Sequence, residues 1–325
     1  MSTSTCFRKV EKGGLKMNYG RVAVIGLAGQ SAFLTADHFP APGETISCSS
    51  LFFEPGGKGY NQAIACVRQG VETLFVGAVG NDSSAKECRQ GLEQEGIKVR
   101  FVEKELPTAY AVITTISGGE NTVQVLGGAA KTLSEEDLRE NAVFEELGGN
   151  DYLLIQNELS SECLTAAVKL AREKGISVIF NPAPAENVDV ALISLCELIT
   201  PNYGEAKYLA GFSEEAEPSA QELFDAFKRM SVKKAVVTMG GSGALIIDEE
   251  GYKLIPAFSA GEVVDTTGAG DTFNGTLTAA LAMHKDLEEA VRIAIVAAGI
   301  SVTRHGAAGS IPVKSEVMKI VAGLQ

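Results

Sequence analysis

The sequence predicts an α/β protein of three layers, with a mostly parallel central sheet, helices on both faces and a small β-sheet lid. Short β-branched runs stop at Gly, Asn or Pro, and stretches of helical length alternate with them. Two segments break the alternation with strands and turns alone. A chain of 325 residues suits one large α/β domain carrying such insertions.

In chain order, the strand-like runs are 21–29 (RVAVIGLAG), 73–80 (TLFVGAVG), 151–158 (DYLLIQNE), 177–185 (SVIFNPAPA), 198–202 (LITPN) and 235–247 (AVVTMGGSGALII). Helical stretches cover 59–69, 83–95, 160–174, 204–210, 219–230, 269–283 and 287–303. Alternation of this kind means βαβ units and a parallel sheet covered on both sides. Ligands of such sheets sit beyond the carboxyl ends of the strands, where most of the glycine and polar punctuation falls. The helix-poor segments 35–56 and 108–126 form the expected lid, with a hairpin turning at Gly118-Gly119-Glu120-Asn121. A bare sheet of that size is marginal alone, so it is expected to cover a site, pair with another subunit, or both. Residues 1–19 are expected to be a flexible tail, and 20–325 the folded domain.

Composition excludes several functions. The formal net charge is −13, which disfavours a broad nucleic-acid surface. It does not forbid a small anion in a local pocket. No apolar run reaches the roughly 18 residues of a membrane span, and the first residues lack a secretory h-region. The six cysteines are scattered without a Cys-x-x-Cys pair, and the three histidines have no metal-ligand spacing. Reduced thiols in a cytoplasmic protein are expected, with no zinc site.

The chemistry is concentrated in three stretches. In VVDTTGAGDTFNGTLTAALA (263–282), a strand-like end meets a glycine turn and then a helix. Glycines there let free N–H groups and the helix dipole converge on an anion, for which a phosphate is the natural occupant. Asp271 would repel that phosphate unless it serves the reaction by taking the proton of an attacking alcohol. An unperturbed Asp, with a pKa of about 3.9, is a weak base, so that proton is expected to move late. As an alternative, Asp271 is an N-cap Asp, a common helix starter.

The second stretch, EPGGKGYNQ (54–62), places Gly56, Gly57 and Gly59 at a helix entry with Asn61 on the first turn. Its spacing is not that of a P-loop, because Lys58 lies inside the glycines. Asn61 offers a donor and an acceptor to vicinal hydroxyls. In the third, ITPNYGEAKYLAG (199–211), Glu205 lies three residues after Asn202. That pattern suits either a magnesium-organising carboxylate or a capping box. Two decoys are set aside: MGGSGAL lacks the second flanking glycine of a nucleophile elbow, and GLAGQ is not a dinucleotide fingerprint.

Taken together and in this order, the stretches resemble the ribokinase-like, or PfkB, carbohydrate kinases, and within them the ribokinase subgroup. Gly56 to Ala63, continuing through Gly70 to Gly80, carries the first signature, and Asp265 to Asp271 the second. HFPAPGET, NPAPA, ITPN with Glu205, TMGGSG and TRHGAAGSIP support them.

The resemblance implies a three-layer ribokinase-like fold, ATP-dependent phosphorylation of a primary sugar hydroxyl, Mg²⁺, and activation by a monovalent cation such as K⁺. It implies Asp271 as base, with Gly268, Ala269 and Gly270 as the anion hole. Asn202, Thr238, Gly240, Gly243 and Ile295 would line the nucleotide, with Gly270 beside it, and Glu205 would order the waters of Mg²⁺. Asp265, Thr267, Ser301, Arg304, Gly306 and Ser310 would form the cation loop. Gly29, Ser31, Gly57, Lys58, Asn61 and Glu158 would line the sugar, and the lid would make a homodimer. Ribokinases carry Asn and Asp where this chain has Gly29 and Ser31, and each lost hydrogen bond to a polyol costs about 1–3 kcal/mol. The sugar is therefore open, with Gln30 and Tyr60 expected to reshape the pocket. A nucleoside kinase of this fold, or a non-catalytic sugar-binding regulator, are the alternatives.

Overall fold

In a computed structural model, residues 19–116 and 120–324 are described. The expected tail up to residue 18, and residues 117–119 of the expected hairpin turn, lie outside the described residues. The chain runs through β1 (Val22–Ile25), β2 (Gly29–Ala36), β3 (Ser50–Gly56), α1 (Lys58–Arg68), β4 (Thr73–Gly80), α2 (Ser83–Gln94), β5 (Lys98–Lys104), β6 (Ala109–Ile116) and β7 (Asn121–Leu126). It continues through α3 (Glu135–Glu140), α4 (Val143–Glu146), β8 (Tyr152–Gln156), α5 (Ser161–Glu173), β9 (Ser177–Asn181), α6 (Val190–Leu195), β10 (Leu198–Ile199), α7 (Tyr203–Leu209) and α8 (Ala220–Arg229). The last elements are β11 (Ala235–Thr238), β12 (Ala244–Asp248), β13 (Gly251–Ile255), α9 (Ala269–Ala282), α10 (Leu287–Ser301) and α11 (Lys314–Leu324).

Nine strands form the main sheet in the order β13-β12-β11-β10-β9-β8-β1-β4-β5. It is parallel from β5 to β11, and antiparallel only where β12 and β13 close its edge. Central β1 shows why both faces are covered. Successive strand side chains point to opposite faces, and all four of its residues are buried apolars. Ala23 and Ile25 belong to a buried cluster shared with α5, while Val22 and Val24 belong to one shared with α1, α9 and α10. The expected three-layer α/β/α architecture is thus present.

The second sheet has the order β3-β2-β6-β7. Its first strand starts at Gly29, earlier than the expected lid boundary of 35, and GLAG is not the tail of a single strand. Glycine reads as a strand stop, but here it permits a close strand crossing. A Cβ on Gly29 would stand 2.3 Å from the Ala109 carbonyl oxygen, its partner on β6. Segment 235–247 likewise splits in two. Gly240 (φ 52°) and Gly243 (φ 103°) adopt backbone angles that favour glycine, and they fold β12 back on β11.

Sequence patterning missed β5 and α11 because neither shows a continuous apolar face: β5 is half-exposed at the sheet edge, and α11 buries only Val317. No helix among the described residues is long and apolar enough to cross a membrane.

Candidate active site

The site lies where the start of α9 meets α1 beyond the strand ends. Gly268, not Asp271, holds the N-cap position of α9, at φ 74°, and a Cβ there would come within 3.0 Å of Ala307 Cα. The first turn does not offer the donors expected from its sequence: the Ala269 N–H is spent on the Thr266 carbonyl at 3.2 Å. The N–H groups of Gly268, Gly270 and Asp271 have no partner among the described residues. These three, with the helix dipole, are the available anion donors.

Helices α1 and α9 touch through small residues. A Cβ on Gly275 would lie 2.4 Å from both the Gln62 carbonyl oxygen and Ala65 Cβ, and Cys66 Sγ donates to the Gly275 carbonyl at 3.3 Å. This approach brings two side-chain amides to Asp271, which sits on the first turn of α9. Asn61 Nδ2 donates to its Oδ2 and Gln62 Nε2 to its Oδ1, each at 2.9 Å. Burial raises the Asp271 pKa, and the Lys58 charge and the two amide hydrogen bonds oppose that rise.

The start of α1 is fixed by glycine as well. Gly57 (φ 104°) passes Leu27 so closely that a Cβ would meet Leu27 Cδ2 at 2.5 Å, and Gly59 packs on Gly26. The Lys58 N–H donates to Glu158 Oε2 at 3.0 Å. Burial opposes the Lys58 charge, but Asp271, Glu158 and Glu205 outweigh it and raise its pKa. Burial also pushes the Glu158 carboxyl up to about 7, against the pull of Lys58.

Two cavities meet here. The smaller, about 160 Å³, is lined by Lys58, Asn202, Glu205, Gly268 and Asp271. The larger, about 530 Å³, is walled by Gly240, Gly243 and Ile295, together with Phe258, Val263 and Phe273. Both include Thr238 and Gly270, so they abut at the anion donors. Asn202 therefore borders the smaller cavity rather than the larger one.

Both readings of the Asn202–Glu205 spacing coexist. Asn202 Oδ1 accepts from the Glu205 N–H and Glu205 Oε2 from the Asn202 N–H, each at 2.8 Å. That capping box leaves Glu205 Oε1 for the cavity. Burial raises the Glu205 pKa, offset by the Asn202 N–H and Lys58. One carboxylate oxygen beside anion donors fits Mg²⁺ held largely through waters and phosphate oxygens. Among the described residues there is no cluster of three or more His, Cys, Asp or Glu that would cage a metal.

The expected cation loop is assembled from two segments. Asp265 Oδ1 accepts from the Thr267 N–H at 2.9 Å and Oδ2 from the Gly306 N–H at 3.0 Å. Burial alone would raise the Asp265 pKa, but these bonds and His305 hold it below the usual range. Two expected hydroxyls spend their hydrogens on backbone carbonyls while keeping their oxygen lone pairs, and the expected Arg304 is paired elsewhere. Ser301 Oγ donates to the Ala298 carbonyl, Ser310 Oγ to the Ala307 carbonyl, and Arg304 pairs with Glu316 at 2.6 Å. A cation here would be held by neutral oxygens, the Ser301 and Ser310 hydroxyls among them, with Asp265, a donor set that suits a weakly bound monovalent ion.

On the sugar side, Ser31 is buried next to Gly56, and Gly29 pairs with Gly56 across β2 and β3. The polar ends of Gln30 and Tyr60 turn toward α2. Gln30 donates to Glu87 at 3.0 Å, and Tyr60 Oη packs against Gly91, both on α2. Sequence reasoning also missed Asn181, Thr200 and Asn274 in the smaller cavity. Asn274 follows Asp271 by three residues, a spacing that places it one turn on.

A helix start armed with a carboxylate, beside a cavity with apolar walls, is an arrangement suited to phosphoryl transfer to a hydroxyl, the reaction class of the family below. Residues 20–314 match the model of the pfkB family of carbohydrate kinases, and the chain belongs to that family. It is 33% identical over 303 residues to a ribokinase of Haemophilus influenzae, covering 92% of this chain and 98% of that protein. It is 31% identical over 294 residues to a deoxyribokinase of Salmonella typhi, covering 90% and 95%. Among solved structures, Arabidopsis thaliana ribokinase complexed with ribose and ATP superposes with a TM-score of 0.82 at 28% identity, covering 93% of this chain and 99% of that one.

Proposed function

We propose that this protein transfers the γ-phosphoryl group of ATP to a primary hydroxyl of ribose or a closely related pentose. The observation that carries the reading is the junction of the two cavities at Gly270, with Asp271 on the acceptor side. ATP would lie in the larger cavity against Ile295 and Phe258, its phosphates directed at the N–H groups of Gly268, Gly270 and Asp271. The sugar would lie between Gly57, Asn61 and Glu158, under the lid. Relatives named ribokinase and deoxyribokinase support a pentose.

Asp271 serves as general base. Burial makes it a stronger base than a solvated Asp, and its two amide partners fix the plane of the carboxylate. Asn61 Oδ1 is buried without a partner, and it would accept a hydrogen bond from the sugar. Lys58 offsets the negative charge of Asp271, Glu158 and Glu205 as the phosphoryl group arrives. Mg²⁺, when bound near Glu205, would neutralise phosphate charge, and K⁺ at the Asp265 loop would order the carbonyls beside the anion donors.

A panel of D-ribose, 2-deoxy-D-ribose, hexoses and nucleosides, assayed for ADP release with Mg²⁺, tests this reading. A pentose is expected to give the highest kcat/KM, and replacing Na⁺ with K⁺ is expected to increase the rate. Turnover confined to nucleosides would overturn the substrate, and a rate indifferent to K⁺ would overturn the cation loop.

The lid carries a second part of the proposal. Phe52 on β3 and Val123 and Val125 on β7 are each more than half exposed and share one face of the lid, where the row Phe52–Phe33–Ile113–Val123 crosses all four strands. Adjacent apolar side chains of this kind mark an interaction surface, and we assign it to the lid of a second copy. Sedimentation is expected to give about twice the 34.1 kDa chain mass, and Phe52→Asp with Val123→Asp to give monomers. A wild-type protein that sediments as one chain would contradict the assignment.

A further inference from the structure

We propose that Gln62 is a positioning residue for phosphoryl transfer, acting through Asp271, and that Gln156 and Asn181 lock its amide in the working orientation. This rests on the reading of Asp271 as base. It adds a buried scaffold behind that residue, in which Gln62 and Gln156 line neither cavity and Asn181 borders the smaller one.

Gln62 and Gln156 have no exposed surface, and Asn181 is 6% exposed. Gln62 Nε2 donates to Asp271 Oδ1 at 2.9 Å and to Asn181 Oδ1 at 3.1 Å, while its Oε1 accepts from Gln156 Nε2 at 2.8 Å. Asn181 Nδ2 donates to the Thr200 carbonyl at 2.8 Å. Each orientation follows from the next. A backbone carbonyl only accepts, so Asn181 must present Oδ1 to Gln62. Gln62 must then present its NH₂ group to both Asn181 and the carboxylate, and Gln156 must donate to the remaining oxygen.

A flipped Gln62 would set Oε1 against two acceptors, Asp271 Oδ1 and Asn181 Oδ1, and would leave Gln156 donating to a donor. That cost in a buried site excludes the flip. Gln62 therefore always offers Asp271 a hydrogen. It pins Oδ1 as an acceptor, as Asn61 does Oδ2, so the carboxylate is held in one plane and the proton taken from the sugar hydroxyl goes to a lone pair that these two donors leave free. The chain continues past Asn181: Thr200 Oγ1 donates to Asn274 Oδ1, and Asn274 Nδ2 donates to the Gly270 carbonyl at 2.8 Å. One buried series of amides thus runs from behind the base to the anion donors.

The test compares wild type, Gln62→Leu and Gln156→Leu. Losing the fixed orientation of Asp271 is expected to lower kcat by about 10- to 100-fold for Gln62→Leu, with KM for ATP and D-ribose within about 3-fold. Gln156→Leu, which does not contact Asp271, is expected to change kcat in the same direction by less. Titration of the Asp271 carboxyl by ¹³C NMR, assigned with Asp271→Asn, gives a readout that needs no turnover. The charged groups facing Asp271 are Lys58 on α1, Glu158 after β8 and Glu205 on α7, and all three are retained in the variants. Removing a donor to the ionised form raises its pKa, so Asp271 is expected to titrate at higher pH in Gln62→Leu. The acid limb of kcat would move the same way.

A packing role alone would lower thermal stability without moving that titration. Unchanged kcat with an unchanged Asp271 titration in Gln62→Leu would overturn the proposal; should that variant not fold, the same result in Gln156→Leu would do so. If wild type transfers phosphate to neither D-ribose nor 2-deoxy-D-ribose, the pentose reading fails while the titration still decides the positioning role.

Discussion

Asp271→Asn is expected to lower kcat by about 10²- to 10⁴-fold, the usual contribution of a positioned base, while ATP affinity changes little. The substitution conserves shape and removes the charge. Its amide oxygen can still accept from Gln62. Asn61 can turn its own amide to meet the new NH₂ group, because Asn61 Oδ1 has no present partner. The fold therefore tolerates the change. The larger cavity, proposed to hold ATP, is walled by Ile295, Phe258 and the Gly240–Gly243 turn, and Asp271 is not part of its lining. Steady-state kinetics beside calorimetric titration with ATP separate the two effects. A variant that retains wild-type kcat would remove Asp271 from the chemistry.

Gly275→Ala is expected to damage both stability and transfer. The new methyl would start 2.4 Å from the Gln62 carbonyl oxygen, which belongs to backbone and cannot swing aside. Helix α9 must retreat from α1, and overpacking of this kind costs about 1–3 kcal/mol. Asp271 sits one turn before Gly275, so the same retreat lengthens its bonds to Asn61 and Gln62. Misplacement of a reacting group by about 1 Å can cost 10²-fold in rate. Gly323→Ala on α11 is the control, since a Cβ there meets nothing within 4 Å. Chemical denaturation and kinetics on the two variants give the comparison. Wild-type stability and rate in Gly275→Ala would mean that the close approach of α1 and α9 does not set the geometry of the site.

These two expectations show where sequence was informative. The glycine turn with its carboxylate was legible because free helix N–H groups attract anions wherever they occur, so Asp271 in such a turn needed explanation. The lid was legible as a break in βαβ alternation. Its starting point was not: Gly29 reads as punctuation, and only the paired backbone shows it as a residue that lets β2 approach β6. The occupation of the Ala269 N–H depended on how the turn closes, which composition does not encode. Gln62 stood inside a recognised motif, yet its importance comes from partners at 156, 181 and 271 that meet only in three dimensions. Long-range polar networks leave no periodic trace, unlike buried faces of helices and strands.

In the proposed mechanism Asp271 is a proton acceptor rather than a nucleophile, so the sugar oxygen should attack phosphorus directly and in line. Transfer of an isotopically chiral γ-phosphoryl group from ATP to D-ribose distinguishes these routes. A single displacement inverts the configuration at phosphorus, and inversion is the expected result. Retention would require two displacements through a phosphorylated side chain, and it would contradict the role assigned to Asp271.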